Sequence, residues 1–185
     1  MKIIGITGTI GAGKGTVVDY LVDQKNFVHL SVRSYLTEIL ENQNKELSRE
    51  NMFNLANKLR EENGSDFIIQ ELYKKATETN KNVIIESVRT VGEVKALQNK
   101  QNFYLISVDA DIQKRYNRIL ERKSSTDNIS FEQFQTEEEK EMISEDETKQ
   151  NLKKCIEMSD FQIQNNGDFE SLYKQVDQIL EKIEK

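Results

Sequence analysis

The sequence has no proline and no tryptophan, and its 185 residues include one cysteine and one histidine. The single cysteine, Cys155, excludes a disulfide within the chain, and the single histidine, His29, leaves no Cys/His set with zinc-site spacing. Any metal ion bound here should therefore be a hard cation held by oxygen atoms. Both residues are expected to be packed or surface side chains without chemistry of their own.

Long apolar runs are also missing, because the longest have only the length of a strand. We therefore expect no membrane partner, and the N-terminal segment enters a glycine motif without a cleavable signal pattern. A net charge of -6 disfavours nucleic acid as the main partner, and 36% hydrophobic residues are too many for a disordered chain. These observations predict a cytoplasmic protein with a small-molecule ligand, built as one domain over residues 1–185.

Short apolar segments alternate with helical patterns along the chain. Five segments have the composition and length of strands: residues 2–7, 27–30, 82–86, 103–108 and 161–164. The last helix is predicted from apolar residues at three- and four-residue steps, Phe169, Leu172, Val176, Ile179, Leu180 and Ile183. Strands that alternate with helices predict an α/β fold with a mostly parallel sheet. Residues 34–80 are longer than one crossover helix requires, which indicates an inserted helical subdomain.

The segment from Gly8 to Thr16 carries the chemistry predicted for this chain. It lies between the first strand and the first helix, and its residues are Gly8, Thr9, Ile10, Gly11, Ala12, Gly13, Lys14, Gly15 and Thr16. Backbone N–H groups of such a loop surround phosphate oxygens, glycines allow their close approach, and Lys14 supplies a positive charge. The alternative is a tight turn with an accidental lysine, which leaves four glycines unexplained. The motif predicts a phosphate-binding loop (P-loop) for ATP or a close relative, with Thr16 as a magnesium ligand.

The ending Lys14-Gly15-Thr16 departs from the simple motif, in which Ser or Thr directly follows the lysine, and resembles adenylate kinase and other nucleoside monophosphate kinases. The resemblance covers nearly the whole chain. It is closer to a group of nucleoside-monophosphate-kinase-like and dephospho-coenzyme-A-kinase-like proteins, some fused to deoxycytidylate deaminases, although no deaminase signature is present. It implies a three-layer P-loop NTPase fold, a five-stranded parallel sheet of order 2-3-1-4-5, a helical acceptor-binding insertion and a lid. The implied cofactors are ATP and Mg²⁺.

The segment Glu86-Ser87-Val88-Arg89 follows the third predicted strand and is similar to the family's Asp-Gly-x-(Pro)-Arg ending. The similarity implies that Arg89 meets the phosphate of the acceptor, and Arg89 is expected to face the inserted helices. A carboxylate at the carboxyl end of a strand beside the first strand can hold magnesium through water, which is the role predicted for Glu86. A cap on the following turn is the alternative for Glu86.

Arg118 and Arg122 lie four residues apart after the fourth predicted strand, so on a helix they project from one face and can grip one polyanion. They resemble the family's Arg-x-x-x-Arg at the base of the lid that closes over ATP. Arg115 lies one turn earlier and is a candidate third member. The alternative is a solvated basic helix face paired with Glu121.

The lid predicted at about residues 118–147 has an unexpected charge. Residues 124–147 contain nine acidic side chains and one basic side chain, Lys140, which stands where relatives tend to have arginine. This is the wrong sign for a phosphate clamp. We therefore expect the acidic face of the lid to point to solvent.

Residues 31–36 resemble the family's acceptor-binding segment, but Thr37 stands where many monophosphate kinases have arginine, and Arg33 is expected to replace it. Three further residues match the closer group and are predicted to line the acceptor pocket: Arg49, Asn51 and Arg60. Their alternative is a helix N-cap at Ser48 with surface ion pairs. The segment 165–167, Asn-Asn-Gly, is either an adenine contact or a plain turn.

The resemblance implies transfer of the γ-phosphoryl group of ATP to a small phosphorylated acceptor, most simply a (deoxy)nucleoside monophosphate. The predicted catalytic residues are Lys14, Arg89, Arg118 and Arg122, with Arg118 also binding ATP and with Arg33, Arg60 and Arg89 binding the acceptor. Dephospho-coenzyme A is the alternative acceptor, and its attacking hydroxyl needs a carboxylate base. A nucleotide-dependent switch with slow ATP hydrolysis is the alternative from another class.

Overall fold

Five short strands form one parallel sheet. The computed structural model describes residues 1–122, 129–144 and 149–184. In chain order the strands are β1 (Ile3–Gly8), β2 (Val28–Ser31), β3 (Val83–Glu86), β4 (Phe103–Asp109) and β5 (Phe161–Gln164). They lie in the order β2-β3-β1-β4-β5, and each neighbouring pair is parallel. The predicted fold class and sheet order are confirmed, and each predicted strand end is within one residue of the observed end.

Helices connect the strands and cover both faces of the sheet. They are α1 (Lys14–Lys25), α2 (Val32–Asn42), α3 (Arg49–Asn63), α4 (Phe67–Glu78), α5 (Val91–Gln98), α6 (Ile112–Glu121), α7 (Phe131–Met142), α8 (Leu152–Glu157) and α9 (Phe169–Glu184). In the part of the chain that the structure describes, no helix is both long enough and apolar enough to span a membrane.

Successive side chains of each strand point to opposite faces of the sheet, so the core has two layers. Ile4 and Ile6 of β1 face α1 and α9, where they join a buried cluster that includes Leu21 and Val176. Ile3 faces the opposite side and joins the cluster built by α4, α5 and α8. Because both faces are covered, every residue of β1 is buried, as is typical of a central parallel strand.

A smaller apolar cluster joins the helices between β2 and β3. Leu36 and Leu40 of α2 pack with Leu55 of α3 and Ile68 of α4. The next residues of α4, including Ile69, pack against the sheet instead. Within residues 34–80, α4 is thus a sheet-covering helix, and α2 and α3 form the part that stands away from the sheet.

Candidate active site

The P-loop joins β1 to α1 at the carboxyl edge of the sheet. Gly13 precedes α1 with φ 94°, and a Cβ atom there would lie 2.3 Å from Asn165 Nδ2. Gly8 has φ 129°, and its Cβ would lie 2.0 Å from the Val108 carbonyl oxygen. Both positions therefore need glycine for conformation and for space. Among the described residues no side chain caps the first turn of α1 and none in that turn is acidic, which leaves its amides to bind an anion.

Lys14 is the charged centre of this loop. Its Nζ donates hydrogen bonds to the carbonyl oxygens of Gly8 at 2.9 Å and Thr9 at 2.7 Å. Burial, together with the positive charge of Arg89, lowers the pKa of Lys14 to about 8, against the opposing effect of the Glu86 and Glu141 carboxylates. The structure thus places the Arg89 cation and the Glu86 and Glu141 carboxylates near Lys14.

Glu86 ends β3 beside the P-loop strand. Its Oε2 lies 2.9 Å from His29 Nε2, and this hydrogen bond holds the pKa of Glu86 below its usual range, with the charges of Lys14 and Arg89 acting in the same direction. The β2–β3 register pairs His29 with Ile84, so His29 and Glu86 are diagonal neighbours on one face. The sequence assigned His29 no role, whereas the structure places it against the candidate magnesium ligand.

The oxygen groups near the loop suit magnesium. Within the described ranges, no three or more His, Cys, Asp or Glu side chains converge as a metal site. Instead, a hydroxyl, Thr16 in the first turn of α1, and one carboxylate, Glu86, are oxygen groups that could hold a magnesium ion together with nucleotide phosphates and water.

Arg89 lies between β3 and α5, close to α7. Its Nη1 is 3.5 Å from a Glu141 carboxylate oxygen on α7 and 3.3 Å from Gln150 Oε1. Its charge also lowers the pKa of Lys14. The expected orientation toward the inserted helices was therefore wrong, because the observed side-chain partners come from α7 and from the segment before α8.

Arg115 joins α7 to the P-loop. Its side chain is buried on α6, where Nε donates to the Ala110 carbonyl at 2.8 Å and Nη1 donates to the Ile10 carbonyl at 3.2 Å. Both terminal nitrogens also donate to the carboxylate of Glu138 on α7, and the side chain of Glu138 is 10% exposed. This bidentate pair fixes α7 over the outer side of the loop.

The acidic side chains of the predicted lid do not all point to solvent. Glu132, Glu137 and Glu139 are exposed, as expected. For Glu138 and Glu141 the expectation was wrong, because these side chains pair with Arg115 and Arg89. Helical spacing explains the difference, since residues three apart on α7 share the face that packs on the site. The remaining acidic positions of the predicted lid, 127 and 145–147, lie outside the described residues.

Arg118 contacts the loop after β5 rather than open solvent. Its Nη2 donates to the Asn165 carbonyl at 2.9 Å, while its Nη1 is buried without a hydrogen-bond partner among the residues described. Arg122 is the C-terminal cap of α6, and its backbone N–H donates to the Arg118 carbonyl at 3.2 Å. The shared ATP contact of the two arginines remains a prediction.

The loop after β5 supports the P-loop directly. Asn165 is 6% exposed, and its Nδ2 donates to the Ala12 carbonyl at 2.8 Å. Asn166 Oδ1 accepts from the Asp111 backbone N–H at 2.7 Å, which ties the same loop to the start of α6. These bonds describe a structural turn, and an adenine contact remains a prediction.

The predicted acceptor residues occupy different environments. Arg33 is exposed on α2, and its side chain makes no hydrogen bond or ion pair within the described part of the chain. Arg60 on α3 points its Nη2 at Glu93 Oε1, 3.4 Å away. At the start of α3 the Ser48 cap is present, because its hydroxyl accepts the Asn51 N–H at 3.1 Å. The side chain of Arg49 is outside what the structure describes.

Two carboxylates near the site had no predicted role. Asp109 ends β4, and its Oδ1 accepts hydrogen bonds from Thr9 Oγ1 at 2.5 Å and from the Ala110 N–H at 2.8 Å. Glu93 lies behind Arg89 on α5, with 1% of its surface exposed. Asp109 could have been found from the sequence, because it is a carboxylate at the end of a strand next to β1. Glu93 could not, because in the sequence it looks like an ordinary helix-capping residue.

A P-loop between the first strand and first helix of a parallel 2-3-1-4-5 sheet defines the class of P-loop proteins with a kinase-like fold. More particularly, a family model described as "AAA domain" matches residues 4–150, and the chain belongs to that family.

Two relatives cover essentially all of this chain. A UPF0200/UPF0201 protein from Archaeoglobus fulgidus is 28% identical over an alignment of 190 residues, which covers 100% of this chain and 57% of that protein. A UPF0200 protein from Methanocaldococcus jannaschii is 29% identical over 186 residues, covering 99% of this chain and 91% of that protein. This chain thus spans little more than half of the Archaeoglobus relative.

Solved structures share the fold at low identity. TT1252 from Thermus thermophilus has a TM-score of 0.65 at 18% identity, covering 98% of this chain and 97% of that one. The dephospho-CoA kinase from Campylobacter jejuni has a TM-score of 0.58 at 18% identity, covering 99% and 98%. A shikimate kinase from Bacteroides thetaiotaomicron has a TM-score of 0.58 at 13% identity, covering 100% and 99%. The likeness is to P-loop kinases in general and does not single out the nucleoside monophosphate kinases.

Proposed function

We propose that this protein transfers the γ-phosphoryl group of ATP, with magnesium, to a small phosphorylated acceptor, a (deoxy)nucleoside monophosphate. The observation that carries the proposal is the convergence of Lys14, Arg89 and Glu86 at the open first turn of α1. Two cations beside a carboxylate at the end of β3 are what an ATP–magnesium complex and an anionic acceptor require.

Each group has a role in the proposed reaction. An acceptor oxygen attacks the γ-phosphorus, the bond to the bridging oxygen of ADP breaks, and the protein neutralises charge without a nucleophile of its own. Lys14 and the P-loop amides bind the ATP phosphates. Thr16 would bind the magnesium ion directly, and Glu86 would bind it through water. Arg118 and Arg122 complete the ATP site from α6, with α7 as the lid.

On the acceptor side of the proposed site, the end of β3 carries Arg89, whose side chain meets α7 and Gln150 in this structure, and α2 and α3 supply the other residues. Arg89 holds the acceptor phosphate, the exposed Arg33 reaches it from α2, and Arg60 supports the same pocket from α3. A planar guanidinium suits this task because it binds a phosphate through two parallel hydrogen bonds.

The test is an acceptor screen for ADP release. Ribo- and deoxyribonucleoside monophosphates and dephospho-coenzyme A are each added to the protein with ATP and magnesium, with Lys14→Ala as the matched control. We expect one or more monophosphates to stimulate ADP release by the natural protein but not by Lys14→Ala. Stimulation by dephospho-coenzyme A alone would mean that the acceptor is dephospho-coenzyme A and not a nucleoside monophosphate. This compound is included in the screen because the fold resembles that of the Campylobacter enzyme.

A nucleotide-dependent switch is the second candidate, and one observation favours it. Glu138 and Glu141 pair with Arg115 and Arg89, so a bound nucleotide changes the electrostatic surroundings of α7 even without an acceptor. ATP turnover that no acceptor stimulates and that another protein accelerates would support the switch over the kinase.

A further inference from the structure

Glu93 is a buried carboxylate directly behind Arg89. Its Oε2 accepts the backbone N–H groups of Arg89 at 2.9 Å and Thr90 at 3.2 Å, and its Oε1 lies 3.4 Å from Arg60 Nη2. Burial raises the pKa of Glu93, while these hydrogen bonds and the charge of Arg60 oppose the shift. One side chain thus joins the loop that carries Arg89 to the inserted helix α3.

Helix capping alone does not account for these contacts. Thr90 and Glu93 form a capping box at the start of α5, and Ser130 and Gln133 form the same device at the start of α7. Gln133 is exposed and uncharged, so this chain builds a capping box without burial, charge or a partner arginine. Burying a carboxylate is costly unless it is paired, so the α5 box contains features that its capping role does not require.

Arg60 directs its side chain at the Glu93 carboxylate. Its side chain is 25% exposed, its Nη2 faces Glu93, and its Nε is buried without a hydrogen-bond partner among the residues described. A guanidinium in this position fixes α3 relative to the Arg89 loop through the Glu93 carboxylate.

We propose that Glu93 is a positioning residue: it holds the backbone at Arg89 and, through Arg60, sets the position of α3 relative to the Arg89 side chain. The inference rests on the proposed function, because the Arg89 side chain is taken to bind the acceptor phosphate. Arg60 then acts on the acceptor through Glu93 and not by touching it.

The experiment is a double-mutant cycle of Arg60→Gln and Glu93→Gln. Glutamine at position 93 keeps an oxygen for the two backbone amides, just as Gln133 Oε1 accepts the Ser130 N–H in the α7 box, but loses the charge that faces Arg60. Acceptor KM and kcat are measured with AMP, CMP and dephospho-coenzyme A at saturating ATP, and the ATP Kd is measured without acceptor. We expect Glu93→Gln to raise the acceptor KM about tenfold while the ATP Kd stays within about twofold.

Coupling within the cycle separates action through Glu93 from direct contact. If Arg60 acts through Glu93, the double variant is no worse than the worse single variant. If the KM increases of the two single variants multiply in the double variant, the proposal is overturned. A raised KM for Arg60→Gln with an unchanged KM for Glu93→Gln would overturn it as well. Thr90→Ala is the control, because it weakens the α5 cap while leaving the Glu93 contacts with Arg89 and Arg60. It should lower the Tm and leave the acceptor KM unchanged.

A readout without turnover separates this inference from the proposed function. The backbone amide of Arg89 donates to a carboxylate, so Glu93→Gln should move its proton resonance upfield in nucleotide-free protein. If no acceptor stimulates the natural protein, the proposed function fails, while the Arg89 amide still decides the positioning role. An unmoved amide in folded Glu93→Gln contradicts that role. Should Glu93→Gln fail to fold, the partly exposed Arg60→Gln must shift the amide and raise the KM, and absence of both effects rejects the proposal.

Discussion

Lys14 is the residue through which the charges of the site act on one another. Burial and the charge of Arg89 lower its pKa, and the carboxylates of Glu86 on β3 and Glu141 on α7 only partly oppose this shift. In the structure its Nζ is satisfied by two loop carbonyls. A bound triphosphate offers anionic oxygens in place of these neutral acceptors, which favours the protonated lysine more strongly.

Lys14→Ala should abolish phosphoryl transfer while leaving the fold intact. Loss of one preorganised charge at the site of developing negative charge costs on the order of 10²–10³ in rate. Stability should not fall with it, because burial disfavours the charged lysine in the folded chain. Steady-state turnover and thermal unfolding measure the two effects. Near-normal turnover by a folded Lys14→Ala protein would contradict a mechanism in which the P-loop lysine stabilises the transferred phosphoryl group.

Arg89→Lys should fail nearly as badly as Arg89→Ala. A lysine keeps the charge but cannot hold an acceptor phosphate through two parallel hydrogen bonds, so the acceptor KM should rise and kcat should fall. We expect a loss of about 10- to 100-fold in kcat/KM for the acceptor, with little change in the ATP Kd. Arg118→Lys is the matched comparison and should weaken ATP instead. If Arg89→Ala weakens ATP alone, Arg89 is not the acceptor residue.

The residues that could be predicted from the sequence are those whose function depends on neighbours in the chain. The P-loop is one continuous segment, so its glycines and Lys14 are recognisable without a structure. The partners of these residues come from elsewhere: Glu93 meets Arg60 across 33 residues, and Asn165 meets Ala12 across 153. No local pattern encodes such contacts, because they depend on how helices pack after the sheet has formed.

At the scale of elements, α7 shows most clearly what a residue count misses. An excess of acidic residues predicted a face in solvent, but a helix divides its side chains among several faces. Phe134 is buried against Tyr116 of α6, and this packing turns Glu138 toward Arg115 and Glu141 toward Arg89. The orientation of the helix therefore decides the role of each carboxylate.

Glu141→Gln should strengthen ATP binding. The carboxylate lies 3.5 Å from Arg89 and close enough to Lys14 to raise its pKa, so it competes with the phosphates for the same cations. Because the pair is partly exposed, we expect a modest decrease in the ATP Kd, roughly two- to fivefold at low salt and less at high salt.

Glu137→Gln is the control for this substitution, since it makes the same charge change at an exposed position of the same helix. Calorimetric titration with an unreactive ATP analogue measures both variants. Equal gains from Glu137→Gln and Glu141→Gln would mean that only the net charge matters and that α7 does not compete with the nucleotide.

Strands were predicted more closely than the helical region between β2 and β3. The strands are short apolar runs whose ends are marked by polar residues, and a parallel sheet buried on both faces needs such runs. Residues 34–80 contain three amphipathic helices, and the apolar pattern alone does not reveal which of them packs on the sheet. Ile69 and Leu72 assign that position to α4 only in the folded structure.

For the whole molecule, the layer beneath α4, α5 and α8 contains a useful reporter of folding. Cys155 on α8 is fully buried there. Burial raises the pKa of its thiol to about 12 from the ordinary 9.0, and the nearby charge of Glu93 acts in the same direction. The reactive thiolate is therefore strongly disfavoured as long as the layer is intact.

Cys155 should resist alkylation until the whole chain unfolds, and its ionisation should lower stability at high pH. Between pH 9 and 12 the folded chain keeps a thiol proton that the unfolded chain loses, so the free energy of unfolding falls as pH rises through that window. The loss should be about 1 to 2 kcal/mol at pH 10 relative to Cys155→Ala, which removes this ionisation while sharing every other titrating group. Urea unfolding at pH 8 and pH 10 measures that difference, and iodoacetamide labelling followed by mass spectrometry should trace the same urea transition. Rapid labelling without urea, or parallel pH dependence of the two proteins, would show that the α8 layer opens without global unfolding and that Cys155 is not shielded by the core.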